Sequence, residues 1–275
     1  MRKTILFITA LIFSMGTCSQ SSGSRTQVSA AAGGQVPFEV KQSVFFSDGS
    51  LDEYTTFDWD AGYVHKINEK RFSASGAMLE QVEYAYNDAK GFMTTKLTRD
   101  VEERLKNRVV YQYSPQDLLL RESLVDNKGK VVSTYEYSYD ARGNRISRVI
   151  KNRAGDRLAE TIYTFDASGK MVTSETKDSG ETTISSTRYT YDGQGNLVGQ
   201  QVYGGDGQPT TRINAVWQNG LEVRNEMASA VDGTLQLRIT NEYGQERELT
   251  KKMIDNFQGG SSQFLNYEYV FRPRR

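Results

Sequence analysis

The sequence predicts an all-β protein in which tandem hairpins form one large, curled antiparallel sheet. Three observations support this fold class. Aromatic residues recur at a nearly fixed spacing, Asp or Asn followed three residues later by Gly recurs between them, and apolar and polar residues alternate in the intervening segments. Alternating aromatic and β-branched residues are typical of half-buried strands, and Asp-x-x-Gly is typical of tight turns.

The second aromatic residue of each aromatic-x-aromatic pair defines the repeat. Its spacing is 27 residues twice and then 26 residues six times, over Trp59, Tyr86, Tyr113, Tyr139, Phe165, Tyr191, Trp217, Tyr243 and Tyr269. The first aromatic of the pair is present in seven units, as Phe57, Tyr84, Tyr111, Tyr137, Tyr163, Tyr189 and Tyr267. We therefore expect nine tandem hairpins of about 26 residues, or about 18 strands, in a single domain over residues 38–275.

Each unit also carries turn signals. After the aromatic pair, three units have an Asp with a Gly three residues later, namely Asp140 and Gly143, Asp166 and Gly169, and Asp192 and Gly195. An Asp carboxylate accepts hydrogen bonds from turn N–H groups, and Gly takes the left-handed position that closes a bulged hairpin. These residues therefore predict the hairpin turns.

The alternation predicts one apolar and one polar face. In residues 131–139, Tyr135, Tyr137 and Tyr139 share one face and Thr134 and Glu136 point the other way. We expect the tyrosine face to form the core, the alternative being a platform that binds a ligand.

A flat sheet of this size needs cover for its apolar face. About 18 strands at ~4.8 Å would span roughly 80 Å, which exceeds what twisted sheets tolerate without curling. We expect a spiral, an incomplete barrel or a flattened sandwich. A transmembrane barrel is an alternative that the strand number and length permit, but polar residues on the aromatic face and equally short loops at both ends disfavour it.

The words "YSYDARGN", "YTFDASGK" and "YTYDGQGN" resemble the YD repeats of bacterial Rhs and wall-associated proteins and of animal teneurins. The resemblance implies a β-sheet that spirals into a shell, and an extracytoplasmic location. Nine units are few for a closed shell, no toxin-like segment follows the last unit, and the family's self-cleaving segment is not visible. Encapsulation of a toxin is therefore not expected.

The N-terminal residues predict export. Arg2 and Lys3 precede the apolar run "TILFITALIF", which is typical of a signal peptide over residues 1–17. Cys18 lies where a lipoprotein signal would be cleaved and its thiol lipidated, although Met15 and Thr17 depart from the usual residues. The alternative is an ordinary secretory signal with an incidental cysteine. Residues 18–37 predict a lipidated cysteine and a flexible tether, so we expect a membrane-anchored protein, in the outer membrane, facing the periplasm or the cell surface.

The composition offers little catalytic chemistry. Equal numbers of basic and acidic residues, 34 each, leave no basic field for nucleic acid. One histidine, His65, and one cysteine disfavour His- or thiolate-based metal sites and Cys–His nucleophiles, so we expect no metal, no cofactor and no enzyme. His65 is more simply a residue on the polar face of a strand than a base, and Asp58 and Asp60, which flank Trp59, are more simply turn and strand residues than a glycosidase pair.

Two units depart from the repeat. The expected turn glycines are replaced by Glu103 and Asp117, and three leucines, Leu118 to Leu120, follow in a row. Alternation cannot place all three leucines on one face, so either one leucine pairs with a neighbour across the sheet, which we favour, or the segment marks a contact patch.

Two functions are compatible with these features. The first is a non-enzymatic, lipid-anchored structural or protein-interaction module of the cell envelope, whose partners are the bilayer and an envelope protein. The second is a carbohydrate-binding or adhesive surface protein, in which Trp59 and Trp217 stack on sugar rings. A small glycan-active enzyme is a distant third.

Overall fold

The computed structural model describes residues 35–273, which form one sheet of 18 antiparallel strands. The strands are β1 (Gln35–Phe46), β2 (Leu51–Trp59), β3 (Lys66–Ser73), β4 (Met78–Tyr86), β5 (Met93–Arg99), β6 (Leu105–Tyr113), β7 (Leu119–Asp126), β8 (Val131–Tyr139), β9 (Arg145–Asn152), β10 (Arg157–Phe165), β11 (Met171–Asp178), β12 (Thr183–Tyr191), β13 (Leu197–Gly204), β14 (Pro209–Gln218), β15 (Leu221–Ser229), β16 (Leu235–Tyr243), β17 (Leu249–Asn256) and β18 (Gln263–Pro273). Each strand pairs with the next one along the chain. The all-β, hairpin-built fold class is confirmed. The signal peptide, Cys18 and most of the tether lie outside the described residues.

The turn after β8 shows the structure that the Asp-x-x-Gly motif adopts. The Asp140 carboxylate accepts the N–H groups of Arg142 and Asn144 at 2.9 and 2.8 Å. The N–H of Gly143 donates to the Asp140 carbonyl at 3.0 Å, and Gly143 has a φ of 83°. The turns that begin at Asp166 and Asp192 have the same hydrogen bonds, with Gly169 at φ 83° and Gly195 at φ 90°.

The turn geometry persists where glycine is missing. Glu103 and Asp117 adopt φ values of 60° and 68°, which is the left-handed region that disfavours side chains. Of the three leucines that follow, Leu118 lies in the turn, Leu119 is buried and Leu120 is exposed. The sheet therefore divides the leucine run between the turn and its two faces.

The sheet closes, which corrects the expected spiral or incomplete barrel. β18 pairs with β1 from Gln35 opposite Pro273 to Phe46 opposite Gln263. The rings of Phe45 and Phe264 stack across this pair with centroids 4.9 Å apart. Strand twist, increased by a bulge beside nearly every turn, coils the sheet until its two edges meet, and pairing removes unpaired N–H and C=O groups from both. The protein is a closed 18-stranded barrel.

The barrel has no packed centre. Within residues 35–273 the backbone of each strand lies close only to its two neighbours around the ring, and no side chain is fully buried. Eighteen strands at ~4.8 Å give a diameter of roughly 27 Å or more, which is wider than a single layer of side chains can fill. The barrel therefore encloses a lumen.

The aromatic face lines the lumen. In β12, Tyr189 and Tyr191 are partly buried, whereas Arg188 and Thr190 are exposed. Side chains converge on the concave face of a curved sheet and spread apart on the convex face, so the less exposed face is the inner one. Val82, Leu119, Leu237 and Leu265 are buried on this same face. Four of the six buried hydrophobic residues of the described chain therefore lie along the inner wall.

The outer face carries ion pairs in the middle of the strands. Glu136 accepts hydrogen bonds from Arg121 and Lys151, both at 2.6 Å. Further outward pairs join Arg99 to Glu83 and Arg238 to Glu226, each at 2.8 Å. Among residues 35–273 there is no helix long and apolar enough to cross a membrane.

Candidate functional site

The second aromatic residue of the repeat forms a ring of hydrogen bonds at one end of the barrel. We call this end the latch rim; it carries the turns that follow even-numbered strands, such as residues 60–65, 87–92 and 140–144. Eight aromatic side chains each donate to a backbone carbonyl on the preceding strand, 20 residues earlier or, for Tyr243, 21 residues earlier. The pairs are Trp59 with Glu39, Tyr86 with Lys66, Tyr113 with Met93, Tyr139 with Leu119, Tyr191 with Met171, Trp217 with Leu197, Tyr243 with Glu222, and Tyr269 with Leu249.

Each of these hydrogen bonds, which we call latches, satisfies a carbonyl at the end of a strand ladder. The β7–β8 ladder ends with Arg121 opposite Glu136, and the Leu119 carbonyl lies beyond that pair. A buried carbonyl without a partner is costly, so the latch supplies the missing donor. Burial raises the pKa of Tyr86 and of Tyr113 to about 12, which keeps both hydroxyls protonated as donors. Phe165 occupies the same position in its unit and has no hydroxyl.

Both tryptophans belong to this ring. The indole N–H of Trp59 donates to the Glu39 carbonyl at 2.7 Å, and that of Trp217 donates to the Leu197 carbonyl at 2.9 Å. Trp59 also packs edge-to-face against Phe38, with centroids 5.2 Å apart. Both side chains are partly buried. Their N–H groups are occupied, and ligand stacking on their rings stays a prediction.

The first aromatic of the repeat contacts polar and charged side chains on the lumen wall. The Tyr137 hydroxyl donates to Glu122 Oε1 at 2.7 Å, and the guanidinium of Arg145 lies 4.3 Å from the Tyr137 ring centroid. The hydroxyls of Tyr189 and Ser174 are hydrogen-bonded at 3.1 Å. Tyr163, the corresponding residue of the intervening unit, is also on this wall. The inner wall therefore combines aromatic rings with hydroxyl groups and with charged side chains that lie beside or over the rings.

Glu39 is the most perturbed carboxylate on the inner face. Burial is the largest cause and raises the pKa of Glu39 to about 7, with Glu69 adding to the rise and Lys66 and Lys252 opposing it. Its Oε1 atom is buried without a hydrogen-bond partner. Burial likewise lowers the pKa of Lys252.

An open groove of about 800 Å³ lies on the latch rim. It lies between the turns of residues 60–65 and 87–92 and extends to Asp117 of the next turn. Its lining residues are Val64, His65, Tyr86, Asn87, Asp88, Ala89, Lys90, Gly91, Phe92 and Asp117.

Both turns beside the groove contain one residue more than the Asp140 turn. The N–H of Asp60 donates to the carbonyl of His65, and the N–H of Asn87 donates to that of Phe92, a span of five residues in each case. Asp140 spans only four residues to Asn144. These two extra residues account for the two 27-residue steps of the repeat.

His65 is fixed in the wall of this groove. Its Nδ1 lies 3.0 Å from Asp60 Oδ2, and its ring lies against Tyr86 with centroids 4.3 Å apart. Burial would raise the pKa of Asp60, but hydrogen bonds from the Val64 and His65 N–H groups and from the His65 ring lower it overall. A side chain at Gly91 would place its Cβ 2.7 Å from His65 Nε2, so the Nε2 edge borders the turn closely.

Aromatic and charged side chains complete the groove. Phe92 stacks on Tyr113 with centroids 4.9 Å apart, and Lys90 Nζ forms an ion pair with Asp117. Within residues 35–273 no three His, Cys, Asp or Glu side chains converge on a metal position.

The chain is an all-β repeat barrel. No family model and no curated protein matches it. It is similar to the crystal structure of a porin-like protein from Bacteroides uniformis, with 11% identity and a TM-score of 0.43 over 84% of this chain and 98% of that chain. A porin-like protein from Bacteroides vulgatus gives 12% identity and a TM-score of 0.42 over 85% and 99% of the two chains. The TcdB2-TccC3 structure without its hypervariable C-terminal region gives 12% identity and a TM-score of 0.32, over 85% of this chain and 16% of that one.

The groove is not evident from the repeat pattern. The sequence predicts His65 on the polar face of a strand, whereas in the structure His65 ends a turn and its ring points toward Asp60. The signal that could have revealed the groove is the coincidence of both 27-residue steps with the only histidine of the chain.

Proposed function

We propose that the chain is a non-enzymatic structural or protein-interaction module of the cell envelope, related to YD-repeat proteins and anchored in the membrane through lipidated Cys18. The observation that carries this proposal is the charged outer wall. A lipid-facing strand that placed Arg121 or Lys151 at the bilayer midplane would lose about 2–4 kcal/mol for each residue. The mid-strand pairs of both residues with Glu136 favour a barrel that stands in water.

The closed ring determines how such a module meets its partners. No sheet edge is left for strand addition among residues 35–273, because β1 and β18 pair with each other. A partner therefore contacts the turns at either rim or the charged outer wall. The latches hold the ring to one geometry, which suits a scaffold.

The anchor would orient the barrel. Gln35 and Pro273 pair at the latch rim, so a tether that runs from Cys18 enters the barrel there. The flexible tether that the sequence predicts between Cys18 and Gln35 would reach about 23 Å on average, at about 5–6 Å times the square root of the number of residues. The latch rim would then face the bilayer and the opposite rim would face away, toward a partner.

Lipid labelling combined with accessibility tests this proposal. Cells that express the native chain or Cys18→Ser are fed radioactive palmitate, and the membrane fraction is analysed. We expect label and membrane retention for the native chain only. Protease treatment of intact and permeabilised cells then shows which compartment holds the barrel, and equal, unlabelled release of both chains would contradict the anchor.

Carbohydrate binding is the second candidate function, and one observation favours it. The groove on the latch rim combines aromatic rings with amide, ammonium, imidazole and carboxylate groups, as binding sites for small ligands do.

A further inference from the structure

Three departures from the repeat coincide at one place on the latch rim. The turn of residues 60–65 is one residue longer than the Asp140 turn, the turn of residues 87–92 is also one residue longer, and the chain's only histidine stands between them. In a repeat array the ordinary turn already closes each hairpin, as the Asp140 turn shows. The extra residues are therefore not required to reverse the chain, and the groove lies between these two longer turns.

We propose that this groove binds a short saccharide that is neutral or carries an amino group. The inference rests on the second candidate function and assigns it a site that differs from Trp59 and Trp217. It is independent of lipidation at Cys18.

The aromatic walls suit a sugar ring. The Tyr86 ring is held by its hydroxyl, which donates to the Lys66 carbonyl at 2.8 Å, and by the His65 ring, which lies over one of its faces with centroids 4.3 Å apart. Phe92 is held by stacking on Tyr113. Rigid aromatic rings bury the C–H face of a sugar without losing side-chain entropy on binding.

The polar groups supply both donors and acceptors, which hydroxyl groups require. Asp60 accepts from His65 Nδ1, so that nitrogen carries the proton and Nε2 is the acceptor in the neutral ring. Lys90 donates, Asp117 accepts, and the Asn87 side chain offers an amide. A saccharide hydroxyl can pair with groups of either kind.

The charge of the groove selects against anions. Asp88 and Asp117 are the acidic lining residues, and Lys90 is the lining cation, already paired with Asp117, so the Asp88 carboxylate is left in excess. A phosphate or an acidic sugar would meet this excess negative charge, whereas an amino group would be attracted by it.

The groove can be removed while the repeat is restored. Deletion of Ala89 shortens "NDAKGF" to "NDKGF", which has the same form as the "DNKGK" turn of residues 126–130. Ala89→Trp fills the groove from an exposed position instead. Ala141→Trp places the same side chain on the neighbouring Asp140 turn, which lacks the extra residue, and is the matched control.

The experiment measures binding of the purified full chain to malto-oligosaccharides, N-acetylglucosamine oligomers, glucosamine oligomers and oligogalacturonate. Thermal unfolding verifies that each variant is folded. We expect the native chain and Ala141→Trp to bind a neutral or amino oligosaccharide, and both the Ala89 deletion and Ala89→Trp to bind it about tenfold more weakly or not at all.

The possible results distinguish an error in the proposed saccharide-binding function from an error in the assigned binding site. If the native chain binds none of the neutral or amino probes, the saccharide function itself is wrong. If it binds and both groove variants bind equally well, the function survives and the assigned site is wrong, with Trp217→Phe as the next variant to test. Preference for oligogalacturonate would overturn the assigned ligand class.

Discussion

The hydroxyl of Tyr139 donates a hydrogen bond of 2.7 Å to the backbone carbonyl of Leu119 on the neighbouring strand, 20 residues earlier in the chain. The same hydrogen bond recurs around the latch rim, so it is determined by the position in the repeat and is not peculiar to these two residues. It joins each pair of strands where their ladder ends.

Tyr139→Phe removes one latch and leaves its carbonyl without the hydroxyl. We expect the free energy of unfolding to fall by about 1–2 kcal/mol, since a typical hydrogen bond contributes about 1 kcal/mol and a buried unpaired group adds to the loss. Urea denaturation followed by circular dichroism measures this. Tyr135→Phe, on the same face of β8, is the matched control, and an equal loss in both variants would contradict the latch.

Phe165→Tyr should complete the ring. The added hydroxyl would face the backbone of Arg145, the first residue of β9, at the 20-residue spacing of the other latches. We expect the free energy of unfolding to rise by about 0.5–1 kcal/mol. A fall in the urea midpoint at unchanged slope would show that the site cannot hold the hydroxyl.

Glu103→Gly should stabilise the turn between β5 and β6. Glu103 has a φ of 60°, a conformation that costs a side-chain-bearing residue roughly 1–2 kcal/mol and glycine almost nothing. The greater freedom of glycine in the unfolded chain offsets part of the gain, so we expect about 0.5–1 kcal/mol in thermal or urea unfolding. Glu102→Gly, at the preceding exposed position, serves as control and should be neutral or destabilising.

Glu39 should make stability depend on pH. Its folded pKa of about 7 exceeds the ordinary value of 4.5, so the folded state binds this proton more tightly than the unfolded state. The resulting stabilisation is fully present below pH 4.5 and is lost as the pH rises through 7, by up to about 3 kcal/mol before solvent screening.

Glu39→Gln should abolish that part of the pH dependence and make the barrel more stable than the native chain at pH 8. Urea midpoints at pH 4.5, 6 and 8 measure the difference. Glu268→Gln, at an exposed carboxylate on β18 that pairs with Lys41, is the control. If the native chain and Glu39→Gln lose stability in parallel between pH 4.5 and 8, then burial of Glu39 has no such effect.

The local structure was predictable because it is encoded in single residues. The Asp140 carboxylate and Gly143 determine a turn without help from distant parts of the chain. Closure of the barrel was not predictable, because it depends on twist and bulges summed over every strand. No sequence motif marks Phe45 and Phe264 as residues that will stack across the closing pair of strands. The role of Trp59 was hidden for a related reason: its partner is a backbone carbonyl, which every residue has.

The groove could not be predicted from residue types, because it arises from one extra residue in each of two turns. Neither Asp60 nor Asn87 differs in type from the other turn residues, and each still begins its turn. What differs is the length of the turn. The two 27-residue steps record that difference, but only the three-dimensional neighbourhood of His65 and Gly91 shows that it creates space.

The pairing of Gln35 with Pro273 makes the order of the strands around the ring independent of where the chain is cut. A short linker between these two residues would give a circularly permuted barrel, and new ends could be opened at an exposed turn such as that of residues 153–156. In permutants of this kind the new termini would lie at a chosen turn on either rim. A domain fused to those termini would then be attached at that position of the barrel.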